Sequence, residues 1–326
     1  MSRFFNAIVQ KKWLLSFAIT FCFMNVQAQL PYFPLGPNLY YPGDRQIATY
    51  DSSVYSIGHV VKELDNYAGY WKDNEFKCVN EKNSLAYGIC VDKDDVYIVG
   101  CFNKNDGYYP ALWKNGEHIE FSQSLGVANS IMVVDSTIYI AGITQENNVI
   151  KPCLWINGKS KILSRETGLT TSVFVKDNNI FVCGWIGGIL FGKKPCYWKN
   201  EEIHILGNKG SAYSIIEKND IVYVSGYTKS KGCYWKNGEL VELEGKGAAG
   251  LSVFENNGDI YIAGMVKNKP CYWKNGILTT VHEKNGYATS ITVKEDDVYV
   301  FGNIFIKQKY NTFLWQNNEF NILKAD

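Results

Sequence analysis

Between residues 45 and 325 two kinds of apolar segment alternate, separated by short polar stretches. The first reads small-Ser-Ile-x-Val, a polar turn, then Val/Ile-Tyr-Val/Ile-x-Gly, as in Ser290–Gly302. β-Branched and aromatic residues alternating on both sides of an Asp/Asn-rich turn predict a hairpin. The second segment ends in a tryptophan, at Trp71, Trp113, Trp155, Trp198, Trp235, Trp273 and Trp315. Four of these sit in W-K/I-N-G, with Asn-Gly at 115–116, 157–158, 237–238 and 275–276. The other three keep related turn residues, Asp73-Asn74, Asn200-Glu201 and Asn317-Asn318. A type I′ turn needs positive φ at both central residues, so Asn-Gly between apolar runs predicts a second hairpin.

The spacing of these signals is regular. The glycine of the first segment recurs at 58, 100, 142, 184, 226, 264 and 302. Twelve residues earlier stand Gln46, Gly88, Ser130, Ser172, Ser214, Ser252 and Ser290. Each unit of about forty residues therefore holds four antiparallel strands, A to D, and seven units fill residues 45–326. Repeated four-stranded sheets of this length predict an all-β, seven-bladed β-propeller, in which radial closure protects the strand edges. The motif G-x-A-x-S-I…V-Y-V-A-G…Y-W-K-N-G resembles the secreted bacterial repeat propellers over nearly the whole mature chain. That resemblance implies the fold and no activity. The Gly-His…Trp-Asp pairing of WD repeats and the Ser-x-Asp-x-Gly-x-Thr-Trp box of sialidases are both absent. Strand A is expected to be innermost, because Ala86, Ala128, Thr170, Ala212, Gly250 and Ala288 precede it and small side chains suit a crowded axis. Blade 1 departs from this pattern, with Asp44 and Arg45. Ring closure is expected from packing of blade 7 on blade 1, or from residues 29–44 adding an edge strand.

The N-terminus changes the picture at one end. Arg3, Lys11 and Lys12 precede the apolar run Trp13–Met24, and Val26-Gln27-Ala28 fits a small-x-small cleavage site. Residues 1–28 therefore read as a signal peptide and 29–44 as an extension, with export to the periplasm or medium. No later segment reaches a transmembrane length. The mature chain carries 30 Lys+Arg against 32 Asp+Glu, a formal net charge of −2. That balance lacks the basic footprint of a nucleic-acid binder.

Individual reactive residues add little. Cys153, Cys196, Cys233 and Cys271 all stand two before the blade tryptophan, and Cys183 fills a slot held elsewhere by Ala141, Ser225 and Ala263. Equivalent positions on neighbouring blades lie too far apart for a disulfide, so these five are expected to be small buried apolar residues. One bridge among Cys78, Cys90 and Cys101 stays open. His59, His118, His204 and His282 show no ligand spacing, and the acidic turns lack a calcium-loop pattern, so neither metal nor cofactor is expected. The repeated serines serve the blade, since no nucleophile elbow surrounds them.

Function is expected where the repeat varies. Antiparallel order puts the A–B and C–D turns at one end and the B–C and D–A connections at the other. The B–C spacer, from the B glycine to two before the tryptophan, counts 10 residues in blades 1, 2, 3 and 7, 11 in blade 4, and 6 in blades 5 and 6. Variation at one end of a repeat body is where binding usually resides. The loops there hold His59, Glu63, Asp65 and Tyr67, then Asp106, Tyr108 and Tyr109, then Trp185 and Phe191, then Phe305 and Tyr310. Residues entering strand A at the channel mouth are Arg45, Tyr87, Asn129, Thr171, Tyr213, Leu251 and Thr289. An arginine among neutral hydrogen-bonding groups suits a carboxylate or hydroxyl-rich ligand. Trp185 differs from its repeat equivalents and is the candidate stacking residue. The expectation is a monomeric exported binding module for a protein or glycan. The alternatives are a carbohydrate-active lyase or hydrolase using Glu63, Asp65 or His59 against Arg45, and a structural component of the cell envelope.

Overall fold

The computed structural model describes residues 46–324, apart from 63–64, 74, 105–106, 189–191 and 230. The expected signal peptide, the extension and Arg45 lie outside the described residues. Blade 1 consists of β1 (Ile47–Tyr50), β2 (Ser53–Lys62), β3 (Asp65–Lys72) and β4 (Glu75–Lys82). Blade 2 is β5 (Ser84–Asp92), β6 (Asp95–Lys104), β7 (Gly107–Lys114) and β8 (Glu117–Ile119). Blade 3 is β9 (Gly126–Val134), β10 (Thr137–Glu146), β11 (Val149–Ile156) and β12 (Lys159–Ile162). Blade 4 is β13 (Gly168–Lys176), β14 (Asn179–Ile186), β15 (Lys194–Lys199) and β16 (Glu202–Ile205). Blade 5 is β17 (Gly210–Lys218), β18 (Ile221–Thr228), β19 (Lys231–Lys236) and β20 (Glu239–Glu242). Blade 6 is β21 (Ala249–Asn256), β22 (Asp259–Val266), β23 (Lys269–Lys274) and β24 (Ile277–Thr280). Blade 7 is β25 (Gly286–Lys294), β26 (Asp297–Ile306), β27 (Lys309–Gln316) and β28 (Glu319–Ile322). Each blade is one antiparallel sheet in sequence order, and the seven form a β-propeller with their first strands adjacent around the ring. The exposed outer strands are three or four residues long in blades 2–7, which limits edge-to-edge pairing.

Each residue of the W-K-N-G motif has a separate job. The tryptophan is buried in its blade, and its indole N–H reaches the preceding blade: Trp198 donates to Leu163 O at 3.1 Å and Trp273 to Glu244 O at 3.1 Å. The lysine ammonium lies over the ring of the B-strand aromatic, as for Lys114 on Tyr97 (5.3 Å) and Lys274 on Tyr261 (5.2 Å). Both lysines also pair with the carboxylate that opens the B strand, Asp95 at 2.7 Å and Asp259 at 2.8 Å. The asparagine adopts positive φ and accepts a hydrogen bond from a B-strand N–H. In all seven blades the donors are Val54, Val96, Ile138, Ile180, Val222, Ile260 and Val298, at 2.8–3.1 Å. Blade 1 uses Asp73 in this role. The C–D turn is thereby tied back onto strand B, which explains why this end of the molecule does not vary.

The repeated glycine answers to a β-bulge. In blades 2–7 the A–B register shifts by one residue beside it, for example between Gly142↔Ala128 and Ala141↔Ser130. The bulge drives a strand-A carbonyl into the space a Cβ would need. A side chain at Gly142 would lie 2.0 Å from Val127 O, and one at Gly264 1.9 Å from Ala249 O. The serine beside the bulge joins blades, since Ser130, Ser172 and Ser214 Oγ accept from the N–H of Val173, Ile215 and Val253 in the next blade.

Among the described residues blade 7 packs directly on blade 1, and no strand passes between their sheets. Tyr299, Phe301 and Leu323 of blade 7 share one apolar cluster with Ile47, Tyr55 and Trp71 of blade 1. The tryptophan bond recurs there, with Trp71 donating to Lys324 O at 3.3 Å, and the Lys294 ammonium adds a bond to Asp51 O. The eight cysteines from Cys78 to Cys271 are all free, including Cys78, Cys90 and Cys101, so the bridge left open among those three does not form.

Candidate functional site

At the varying end, the extra residues build taller hairpins rather than loops. In blades 1, 2, 3 and 7 the B and C strands run 10 and 8 residues, whereas in blades 5 and 6 they run 8 and 6. Two more residues per strand raise a hairpin by roughly 7 Å. Backbone pairing continues to the tip, for example Phe305↔Tyr310 and Ile306↔Lys309 in blade 7. Because blade 7 packs on blade 1, the tall blades 7, 1, 2 and 3 form one continuous wall, and blades 5 and 6 a low sector. In blade 4 the B strand ends at Ile186 and the C strand begins at Lys194, and Gly187 and Gly192 between them take positive φ.

The strand-A candidates occupy the bulges, and two of them, Asn129 and Thr171, bond across a seam to the next blade. Tyr87, Asn129, Thr171, Tyr213, Leu251 and Thr289 are the extra residues at the register shifts, and all are at most 3% exposed. Thr171 Oγ1 donates to Ala212 O of the next blade at 3.1 Å and lies 3.1 Å from Cys183 O. Asn129 Nδ2 donates to Thr170 O at 2.8 Å, again across a seam. Thr289 donates to Phe301 O at 3.3 Å, and the Cys101 thiol donates to the Tyr87 hydroxyl at 3.7 Å. Tyr213 stacks on Tyr227 at 6.0 Å, and burial holds its phenol well above the ordinary range. The fold thus brings these residues to equivalent places round the axis.

Trp185 lies elsewhere, near the outer end of β14, half-buried, with the Lys193 ammonium 4.4 Å from its ring. Across the low sector, Phe305 is 40% exposed on the blade-7 hairpin and packs at a tilt against Tyr310, with ring centroids 5.1 Å apart. Asp65 is paired with Lys82 at 3.2 Å, and His59 sits in β2 rather than in a loop. Glu63, Asp106 and Phe191 lie outside the described residues. His118 Nδ1 is 3.2 Å from Glu81 Oε2. Among the described residues no group of three His, Cys, Asp or Glu side chains could hold a metal.

Charge separates the two ends, a feature that net charge conceals. Among residues whose side chains are described, the A–B/C–D end carries 12 basic and 20 acidic groups, a formal −8. The B–C/D–A end carries 16 basic and 8 acidic groups, a formal +8. The sequence signal was available, since a lysine stands in or beside six of the seven B–C connections (Lys62, Lys104, Lys193, Lys229, Lys267 and Lys307), and Lys151 lies three residues past the blade-3 turn.

No family model matches the sequence, and no curated protein sequence matches it. Solved structures do match in shape. A puromycin-hydrolysing peptidase of Mycobacterium tuberculosis aligns over 86% of this chain with a TM-score of 0.61 and 8% identity. A prolyl endopeptidase structure aligns over 94% of it with a TM-score of 0.53 and 12% identity. The chain spans 53% and 54% of those two proteins. At such identities the likeness concerns the propeller fold.

Proposed function

We propose that this chain is an exported, monomeric, non-enzymatic propeller that binds a protein or glycan on the B–C/D–A end. The observation that carries this reading is the stepped surface there, a tall wall over four adjacent blades facing a low sector over two. At the opposite end the repeated turn residues are consumed by ties within and between blades, leaving little to recognise a ligand. Trp185 and Phe305 flank the low sector and supply aromatic faces, while the bulge residues hold the blades beneath it. Export rests on the leader-like residues 1–28.

A glycan array probed with the chain from residue 29 onward tests this. Binding is expected for the native protein and lost in a Trp185→Ala/Phe305→Ser variant that melts normally. Binding unchanged in that variant would move the site elsewhere. Release of shorter sugars from a bound glycan would make the protein an enzyme and overturn the reading.

A further inference from the structure

The low sector is poor in acidic partners for its cations. Between Lys209 and Lys309, the B–C/D–A end presents nine lysines (209, 229, 231, 246, 267, 269, 284, 307 and 309). Against them stand three carboxylates, Glu242, Glu244 and Glu283. Two of these are taken, since Lys231 pairs with Glu242 at 2.7 Å and Lys269 pairs with Glu283. Seven lysines remain, all exposed, with no ion-pair partner among the described residues. They come from the connections of blades 4 to 7, so they arc around the low floor instead of clustering on one loop.

Resting on the binding reading above, we propose that the ligand of this face is an acidic glycan bearing carboxylate or sulfate groups. An unpaired arc of like charges is costly unless it meets an opposite charge, and it steers anionic partners toward the face. The arc is long, which suits a polymer with repeated anions better than one small anion. At its two ends stand Trp185 and the Phe305/Tyr310 pair, and aromatic rings offer apolar faces to sugar rings. The cations of the sector are all lysines, which give point charges. The planar forks that favour bidentate phosphate recognition in nucleic-acid binders are missing from it. A second copy of the chain is the weaker partner, because much of the acidic end is neutralised by its own lysines. Examples there are Asp95–Lys114, Asp259–Lys274, Glu217–Lys176 and Glu255–Lys218.

The test measures binding of the chain from residue 29 onward to polygalacturonate, heparin, dextran and a thymidine oligonucleotide. Each is titrated at about 50 mM and about 200 mM salt, the range over which multi-ion contacts weaken most visibly. Lys229→Glu/Lys267→Glu/Lys307→Glu should weaken polygalacturonate or heparin binding at least about tenfold and flatten its salt dependence. Lys93→Glu/Lys159→Glu/Lys236→Glu makes the same charge change at the other end and should leave affinity within about twofold. Preference between the two polymers decides between carboxylate and sulfate. The proposal is overturned by absent binding to both at low salt, or by equal losses in the two variants. Tighter binding to the oligonucleotide would assign the face to nucleic acid. Salt-sensitive self-association abolished by the first variant, with no polymer bound, would assign it to a second copy. If dextran binds and only Trp185→Ala/Phe305→Ser removes it, the face survives and the acidic class fails. If neither set of substitutions affects any ligand, both readings fail.

Discussion

Removing one C–D turn asparagine should separate its two contributions to the blade. Asn275 sits at φ 52° and its Oδ1 accepts from Ile260 N–H at 2.8 Å, while its own N–H donates to Ile260 O at 2.9 Å. Asn275→Gly keeps the left-handed conformation and removes the two side-chain bonds, the one accepted from Ile260 and the exposed Nδ2 donation to Asp259 Oδ1 at 2.6 Å; the exposed bond contributes little, so the loss is about 1 kcal/mol. Asn275→Ala loses the bond and adds left-handed strain of about 1 kcal/mol, for a total of about 2. Asn275→Asp keeps an acceptor and tolerates the conformation, as Asp73 does in blade 1, but it sets a second carboxylate against Asp259, to which the amide donates at 2.6 Å, so it should be less stable than the native protein yet more stable than the Ala variant. With roughly 2.1 cal/mol/K of unfolding entropy per residue over roughly 280 residues, the melting point should fall by about 3.5 °C for Ala and about 2 °C for Gly. Calorimetry reads the shifts, and hydrogen exchange at Ile260 shows whether the lost bond is the cause. Equal melting points for Asp and Ala, or an unchanged Ile260 exchange rate in Gly, would refute the tie.

Two further outcomes follow from burial. Desolvation pushes the Cys101 and Cys153 thiols up to about 12, and raises those of Cys196, Cys233 and Cys271 as well. These five should therefore stay un-alkylated at pH 8 in the native protein, while the half-buried Cys78 and Cys90 react and all label after denaturation, as read by mass spectrometry. Leu323→Ala should destabilise by about 2–3 kcal/mol through the blade 7–blade 1 seam, and greater proteolysis after residue 310 would locate the opening.

The fold was legible because its signals are local and repeated seven times. Turn chemistry, strand periodicity and the twelve-residue spacing each fix one hairpin, and together they fix the blade. The seams were not legible. Nothing in Ser172 or Trp198 says that one bonds the next blade and the other the preceding one, since both partners are some 35–43 residues away. The bulges were not legible either. Asn129 and Thr171 stand on the innermost strand at a one-residue register shift that no local motif announces, and their side chains bond the next blade. Spacer length misled in a similar way, because a count of 10 residues does not say whether they form a loop or extend a hairpin. Backbone pairs such as Phe305↔Tyr310 decide for the hairpin.

Net charge was an average taken over the wrong distance. The two ends of a blade are separated by strands of 8 to 10 residues, or roughly 27–33 Å. Screening in physiological salt acts over about 8 Å, so a partner approaching one end feels little of the other. A chain near neutrality can therefore present a positive surface and a negative one, each acting alone. The repeat makes this segregation easy to build, because every B–C tip faces one way and every A–B turn the other. A lysine placed at a tip lands on the same surface in whichever blade it occurs, and an acidic residue that ties an A–B turn lands on the opposite one. Charge per end, computed from the strand register, is consequently the quantity that bears on partners for this architecture, and here it singles out the low sector of blades 5 and 6.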